Sequence, residues 1–257
     1  MQRYNQYHNL NLGMKGQLIL PFLFIFVTGF AQQQTDTLKR IVPVKIIKDN
    51  YQDDWADLHH YQNTNKELAA PVKREKRVVF LGSSIFERWT DLMPEFFNNK
   101  NYLNRGISGQ ISPQLLIRFR QDVIDLHPKA VIILAGSNDV AGSTGHVTTE
   151  VIMDNIQSMC ELAKRNHIKV ILCDYLPVFD YPWRKGIEPA PKIIALNRQI
   201  TSFAKKNHLV LLDYFTPFAD ERNGQKIGLT LDGVHPNAAG YHIMAEVTEA
   251  AIAKAIH

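Results

Sequence analysis

Apolar runs of strand length recur from residue 77 onward, at Val78–Leu81, Tyr102–Leu103, Ala130–Ala135, Val170–Leu176 and Leu209–Tyr214. Tyr102–Leu103 is the shortest of them. Strands of this kind are buried on both faces. Between them the apolar residues fall at three- and four-residue spacing. Leu116, Phe119, Val123 and Leu126 form one stripe, with Ser112 expected as its cap and Pro113 in the first turn. Ile152, Ile156, Met159, Cys160 and Ala163 form the next, and Ile193, Leu196, Ile200 and Phe203 another. A last helix, expected to start near Pro236, carries Tyr241, Met244, Val247, Ala251 and Ile252. Buried strands alternating with helices predict a parallel sheet with helices on each side. Upstream, Trp55, Leu58 and Tyr61 at spacing three, followed by Leu68, predict a short helix packed on the domain. There is no internal repeat and no low-complexity tract.

The N-terminal pattern is different. Arg3 and Lys15 are the only charged side chains before residue 32, and an apolar run from Leu18 to Val27 leads into Thr28-Gly29-Phe30-Ala31. Small residues at Gly29 and Ala31 predict a signal peptide over residues 1–31, cut after Ala31. Met14-Lys15 would open a more compact version of the same signal. The run is too short to span a bilayer comfortably. The expected location is therefore periplasmic or extracellular, with no stable membrane span after cleavage; an uncleaved N-terminal anchor is the rival. The absence of Cys near the cut argues against a lipid anchor. Residues 32–50 read as a linker, leaving residues 51–257 as one domain with ample core.

Charge excludes one class of partner. The formal net charge is +4 for the whole chain and falls to +2 once the two positive charges of the signal are removed. That is too small for a nucleic-acid binder, and the Lys73–Arg77 run reads as a solvated approach to a strand. Two cysteines, Cys160 and Cys173, are too few for a disulfide scaffold and read as buried thiols.

The residues with chemical potential collect at the ends of the strands. Ser83 and Ser84 follow the first strand, Arg105, Gly106 and Ser108 the second, and Gly136-Ser137-Asn138-Asp139 the third; Asp232 and His235 lie beyond the fifth. Open parallel sheets bind ligands at that end, near the point where strand order reverses. A serine hydroxyl needs an adjacent base to act as a nucleophile, and the base needs a partner that fixes its tautomer. His235 has a local acid in Asp232, with Gly233 between them for a tight bend. His127, His167 and His208 sit at helix C-terminal ends, where the dipole favours them, and His59 and His60 have no evident partner. Plainer readings exist for each residue: Ser84 as a helix cap, Gly106 and Asn138 as turn residues, Asp232 and His235 as a surface turn. There is no phosphate-binding G-x-x-x-x-G-K-[ST] loop and no H-E-x-x-H zinc helix. Phe86 stands where the second glycine of a G-x-S-x-G elbow would be.

Four blocks taken together resemble the SGNH, or GDSL-like, hydrolases. Gly82-Ser83-Ser84-Ile85 resembles G-D-S-[IL], Asn104-Arg105-Gly106 the second block, Gly136-Ser137-Asn138-Asp139 the G-x-N-D block, and Asp232-Gly233-Val234-His235-Pro236 the D-x-x-H-P block. The phrases Asn104–Gln110 and His235–Tyr241 are similar to the lysophospholipase-like or platelet-activating-factor acetylhydrolase-like branch. Ser83 departs from the pattern by replacing the family's usual Asp. The resemblance implies a three-layer α/β/α sandwich around a five-stranded parallel sheet, flavodoxin-like in order. It also implies Ser84, His235 and Asp232 as the catalytic triad, and Ser84, Gly106 and Asn138 as the oxyanion hole, with no metal and no cofactor. The implied function is a serine esterase acting on short acyl, above all acetyl, esters of carbohydrates or lipids. Its partner would be a small-molecule or polysaccharide ester. A lysophospholipase-type lipid acylhydrolase and a non-enzymatic carbohydrate-binding protein on the same fold are the alternatives. The loop Val178–Arg184, with its aromatic and Arg side chains, is expected to flank the site.

Overall fold

The structure is a computed structural model that describes residues 53–98 and 100–256. The signal peptide and linker expected over residues 1–50 lie outside the described residues. Strands β1 (Val78–Gly82), β2 (Tyr102–Gly106), β3 (Ala130–Ile133), β4 (Lys169–Cys173) and β5 (Val210–Leu212) form one sheet in the order β2-β1-β3-β4-β5. All four pairings are parallel. The helices are α1 (Gln62–Glu67), α2 (Ser84–Leu92), α3 (Glu95–Asn98), α4 (Ser112–Asp122), α5 (Ser137–Val140), α6 (Thr149–Arg165), α7 (Pro189–Lys206), α8 (Phe215–Phe218) and α9 (Ala238–Ile256). The chain reverses direction across the sheet between β1 and β3, which opens a crevice at their carboxyl ends.

Every residue of β1 and β3 is buried, as continuous apolar runs require. One face of the sheet carries an aromatic cluster. Phe80 meets Phe86, Trp89, Phe96, Phe97 and Tyr102, and Trp89 stacks on Tyr241 of α9 with ring centroids 5.4 Å apart. The Tyr241 hydroxyl donates to the Ile85 carbonyl at 2.7 Å. Burying that phenol satisfies its polar end and clamps the start of α2 to α9.

Local signals fix the long helices. Thr148 caps α6 by accepting the Val151 amide, and Lys164 and Arg165 occupy its last turn. Pro189 opens α7 and Lys205 and Lys206 close it. His127, His167 and His208, expected at helix ends, all adopt positive φ there, where chains leave a helix through the left-handed region. Cys160 and Cys173 are free and buried, and burial pushes the Cys160 thiol up to about 12.

Two expectations change, Ser112 as a cap and the helix over Trp55–Tyr61. Ser112 does not cap α4: it is the first helical residue, and its amide and hydroxyl both donate to the buried Asp139 carboxylate. The last helix begins at Ala238, near Pro236 as expected, where Asn237 accepts the Gly240 amide at 3.0 Å and caps it. The segment with Trp55, Leu58 and Tyr61 is helical only over α1, and Trp55 is exposed. Glutamine side chains draw its carbonyls out of helical pairing: Gln114 donates to Trp55, Gln110 to Ala56 and Gln121 to Leu58. His59 and His60 also have partners after all, in the Asp54 and Asp57 carboxylates of that turn.

Beneath the crevice Arg118 of α4 is wholly buried. Its guanidinium donates to Asp122 at 2.8 Å, to the Gln110 side chain at 2.5 Å, and to the carbonyls of Gly82 and Arg105 at 3.0 and 2.6 Å. Asn65 donates to the other Asp122 oxygen at 2.7 Å. Burial opposes the charge on Arg118 and the Asp122 carboxylate counters it. Arg118→Leu removes one half of this pair and strands the other in the interior. Urea denaturation is expected to show a loss of about 3–5 kcal/mol; a loss under about 1 kcal/mol would contradict the role assigned to the pair.

Asp174, at the end of β4, accepts the Tyr214 and Phe215 amides at 2.7 and 3.2 Å. Burial, aided by the neighbouring Asp213 carboxylate, raises it from 3.8 to about 7. The folded chain therefore holds this proton more tightly than the unfolded one. Its stabilising effect is fully present below the unfolded value and is lost as pH rises towards the folded one. The stability of the wild type relative to Asp174→Asn is expected to fall between pH 3.8 and about 7 and then level off; a difference that ignores pH in this window would refute the assignment.

Candidate active site

The turn after β5 builds its own acid–base pair. Asp232 Oδ1 accepts the amides of Val234 and His235 at 3.0 and 2.8 Å, while Oδ2 meets His235 Nδ1 at 2.7 Å. Gly233, at φ +88°, makes the bend that lets one carboxylate reach both the backbone and the ring. Gln225 donates to the Val234 carbonyl at 2.6 Å, and Thr230 to that of His235 at 2.9 Å, so the turn is braced from both sides. Burial opposes the charged form of Asp232. The bonds from the His235 amide and ring and from the Val234 amide outweigh it, and the carboxyl lies below its ordinary value. An ionised carboxylate only accepts, so Nδ1 carries the ring proton and Nε2 presents a lone pair.

That lone pair faces Ser84. Ser84 Oγ lies 2.9 Å from His235 Nε2. Ser84 is the first residue of α2, so its backbone amide has no intrahelical acceptor and the helix dipole favours negative charge beside it. Ser83 takes the cap position, is buried, and makes no side-chain cap bond. Its hydroxyl and that of Ser137 both act on the Tyr175 phenol, which burial nonetheless holds up to about 12.

Ser84 and His235 open on a cavity of about 260 Å³ whose wall includes Arg88, Gly109, Asn138 and Trp183. Asn138 gives one amide hydrogen to the Gln110 carbonyl at 2.9 Å, which leaves the second for the cavity. Gln110 is itself held by Arg118. The structure thus brings four of the five expected site residues together: Ser84, Asp232, His235 and Asn138.

Gly106 is not among them. Its amide donates to Asn104 Oδ1 at 2.9 Å, and its carbonyl accepts from Tyr61 at 2.5 Å. It does not line the cavity. Its lack of a side chain serves packing instead, since a Cβ there would stand 2.3 Å from the Glu87 amide nitrogen. Gly109, three residues on, does line the cavity and has φ +79°. A Cβ on Gly109 would meet nothing within 4 Å, so conformation rather than crowding calls for glycine. The clue in the sequence was a second glycine in the Asn104–Gln110 phrase; which amide is free depends on where the Asn104 side chain turns.

The loop after β4 adds a residue that sequence reasoning placed only broadly. Trp183 is 53% exposed, and its ring centroid lies 5.8 Å from that of His235. The buried Tyr181 anchors this loop by donating to the Ser137 carbonyl at 2.9 Å. One cluster among the described residues has metal-like proximity. Asp54, Asp57 and His59 bring ligand atoms within 4.8 Å of one another, an approach that the ion pairs of His59 account for.

Comparison with known proteins agrees with this arrangement. The GDSL-like Lipase/Acylhydrolase family profile matches residues 80–243. The crystal structure of a protein assigned as an acylhydrolase from Bacteroides fragilis NCTC 9343 is 42% identical, with TM-score 0.77, covering 81% of this chain and 99% of that one. A GDSL-like lipase from Bacteroides thetaiotaomicron VPI-5482 is 47% identical, with TM-score 0.76, covering 77% and 98%. Among curated proteins, the uncharacterized lipoprotein YqeF of Bacillus subtilis (strain 168) is 33% identical over 85 residues; the match spans 32% of this chain and about a third, 35%, of that relative. With its five parallel strands and the profile match across the crevice, the chain belongs to the GDSL-like lipase/acylhydrolase family and is a carboxylic ester hydrolase.

Proposed function

We propose that this chain is an exported serine esterase that removes short acyl groups, acetyl foremost, from carbohydrate or lipid alcohols. The observation that carries the reading is the relay from Ser84 Oγ to His235 Nε2 at 2.9 Å and from His235 Nδ1 to Asp232 Oδ2 at 2.7 Å. His235 accepts the Ser84 proton as Oγ attacks the ester carbonyl, and Asp232 stabilises the imidazolium. The oxyanion is held by the Ser84 amide, the free Asn138 amide hydrogen and the Gly109 amide, which takes the part expected of Gly106. The imidazolium then protonates the departing alcohol, and water, activated by the same ring, releases the acid. Donors placed where the charge develops are worth roughly 10²–10³ in rate each.

Cavity size and chemistry support a short acyl group. The space is about 260 Å³, and Ser108, Asn138 and Ser143 interrupt a wall that is otherwise more apolar than polar. A long chain would need a continuous apolar wall, worth about 0.8 kcal/mol per buried CH₂. An acetyl xylan esterase with the same fold, 22% identical and with TM-score 0.57, is a precedent for acetyl substrates on this fold alone. Export rests on the N-terminal pattern and on the partial match to a lipoprotein. Among the described residues no helix is long and apolar enough to cross a membrane.

Ser84→Ala is expected to abolish both ester hydrolysis and labelling by a serine-reactive fluorophosphonate, while Ser83→Ala remains labelled. Labelling mapped to Ser83 by mass spectrometry would move the nucleophile. A folded wild type that neither labels nor hydrolyses any ester would favour the carbohydrate-binding reading.

For acyl length, acetyl and decanoyl esters of one alcohol are compared below the micelle concentration of the longer one. The expected kcat/KM favours acetyl. A decanoyl preference of tenfold or more would point to a lysophospholipase-type pocket.

A further inference from the structure

Arg88 is the one formally charged side chain lining the catalytic cavity. It lies one helical turn beyond Ser84 on α2, and residues four apart share a helix face. The side chain is half-buried. Among the described residues no carboxylate forms an ion pair with it. Glu87, its neighbour, accepts the amide and hydroxyl of Ser108 at the cavity wall and forms no ion pair with Arg88 among the described residues. Asp91, one turn on, is exposed and in no ion pair. The remaining acid near the cavity, Asp232, is engaged by His235. The Arg88 field does reach Tyr241, whose phenol is already bonded to the Ile85 carbonyl. A guanidinium left unpaired in a partly dry cleft is a poor structural element, because burial weakens its hydration without supplying a partner. It is a good receptor for a planar or tetrahedral oxyanion, which it can bind through two parallel N–H donors.

We propose that Arg88 is an anion subsite, and that the preferred substrate is an ester whose alcohol half carries a carboxylate or phosphate. The assignment to the alcohol half rests on the short-acyl reading above, since an acetyl group has no second functional group to offer. Trp183 standing beside His235, with the Ser108 and Ser143 hydroxyls set in a wall otherwise more apolar than polar, suits an acidic hydroxylated ring such as a sugar acid. A phosphate-bearing alcohol presents the same chemistry from a different source.

The test compares 4-acetoxybenzoate and 4-acetoxyphenyl phosphate with the neutral 4-acetoxybenzamide. In the wild type, kcat/KM is expected to be roughly tenfold higher for at least one anionic ester, as suits a charge-assisted pair in a partly screened site. The ratio should fall towards one in Arg88→Gln and recover in part in Arg88→Lys. A higher ratio for the carboxylate supports a sugar-acid source, and a higher ratio for the phosphate a phosphorylated one. A wild-type ratio near one, or a ratio untouched by Arg88→Gln, overturns the proposal. Calorimetry of the same three compounds on Ser84→Ala separates this from the esterase reading. If no ester turns over yet the anionic compounds bind tighter in an Arg88-dependent way, the subsite stands and the reaction does not. Equal binding of all three would sink the subsite whatever the activity.

Discussion

A full positive charge under the crevice constrains everything above it. Arg118 is out of reach of water and is tolerable only because each side of its guanidinium meets an acceptor. Those acceptors are the carbonyls at the ends of β1 and β2, one carboxylate of its own helix, and Gln110. The Gly82 carbonyl immediately precedes the Ser83-Ser84 corner, and the Arg105 carbonyl belongs to the peptide leading into Gly106. Gln110 in turn receives Asn138. The Ser83-Ser84 corner, the Asn104–Gln110 loop and Asn138 are thus referred to one rigid, planar group, while Gln225 and Thr230 brace the Asp232–His235 turn separately. Such a network gives orientation at little net energy, because desolvation consumes most of what the pairing supplies.

Much of the architecture was legible in the chain. β1, β3 and β4 announce themselves as unbroken apolar runs because both their faces are covered. β2 was visible only as Tyr102–Leu103, and for a physical reason. It is an edge strand, where polar residues are tolerated, and its second half carries Asn104 and Arg105. Those side chains turn towards α1, α2 and the site loops instead of the core, so no hydrophobic period betrays them. The turn at Trp55–Tyr61 was misread because its apolar spacing is helical while its hydrogen bonds go to distant glutamines. Periodicity reports where apolar side chains fall; it is silent about which carbonyls a remote amide will claim.

The candidate site divides along the same line. The juxtaposition of Ser84, Asp232 and His235 was legible because side-chain identity carries the chemistry they offer and Asp232 and His235 are neighbours in sequence. The expectation of Gly106 as oxyanion donor rested on residue type alone, whereas the chemistry there belongs to a backbone N–H. Asn104 occupies the Gly106 amide, while Gly109 is the glycine of that phrase that lines the cavity. Arg88 was passed over for the opposite reason: an arginine on an amphipathic helix is ordinary until its lack of a carboxylate partner is seen.

The Asp232–His235 turn also bears on how the chain becomes active. The acid and base are joined by a four-residue bend that hydrogen-bonds within itself, so that pair needs almost no long-range order. Ser84, the proposed nucleophile, stands 151 positions away from His235 along the chain. Bringing the two together closes a loop spanning most of the domain, and the contacts across that span include Tyr241 of α9 on Trp89 and on the Ile85 carbonyl in the first turn of α2. The proposed triad therefore depends on the seating of the C-terminal helix in a way that the acid–base pair alone does not.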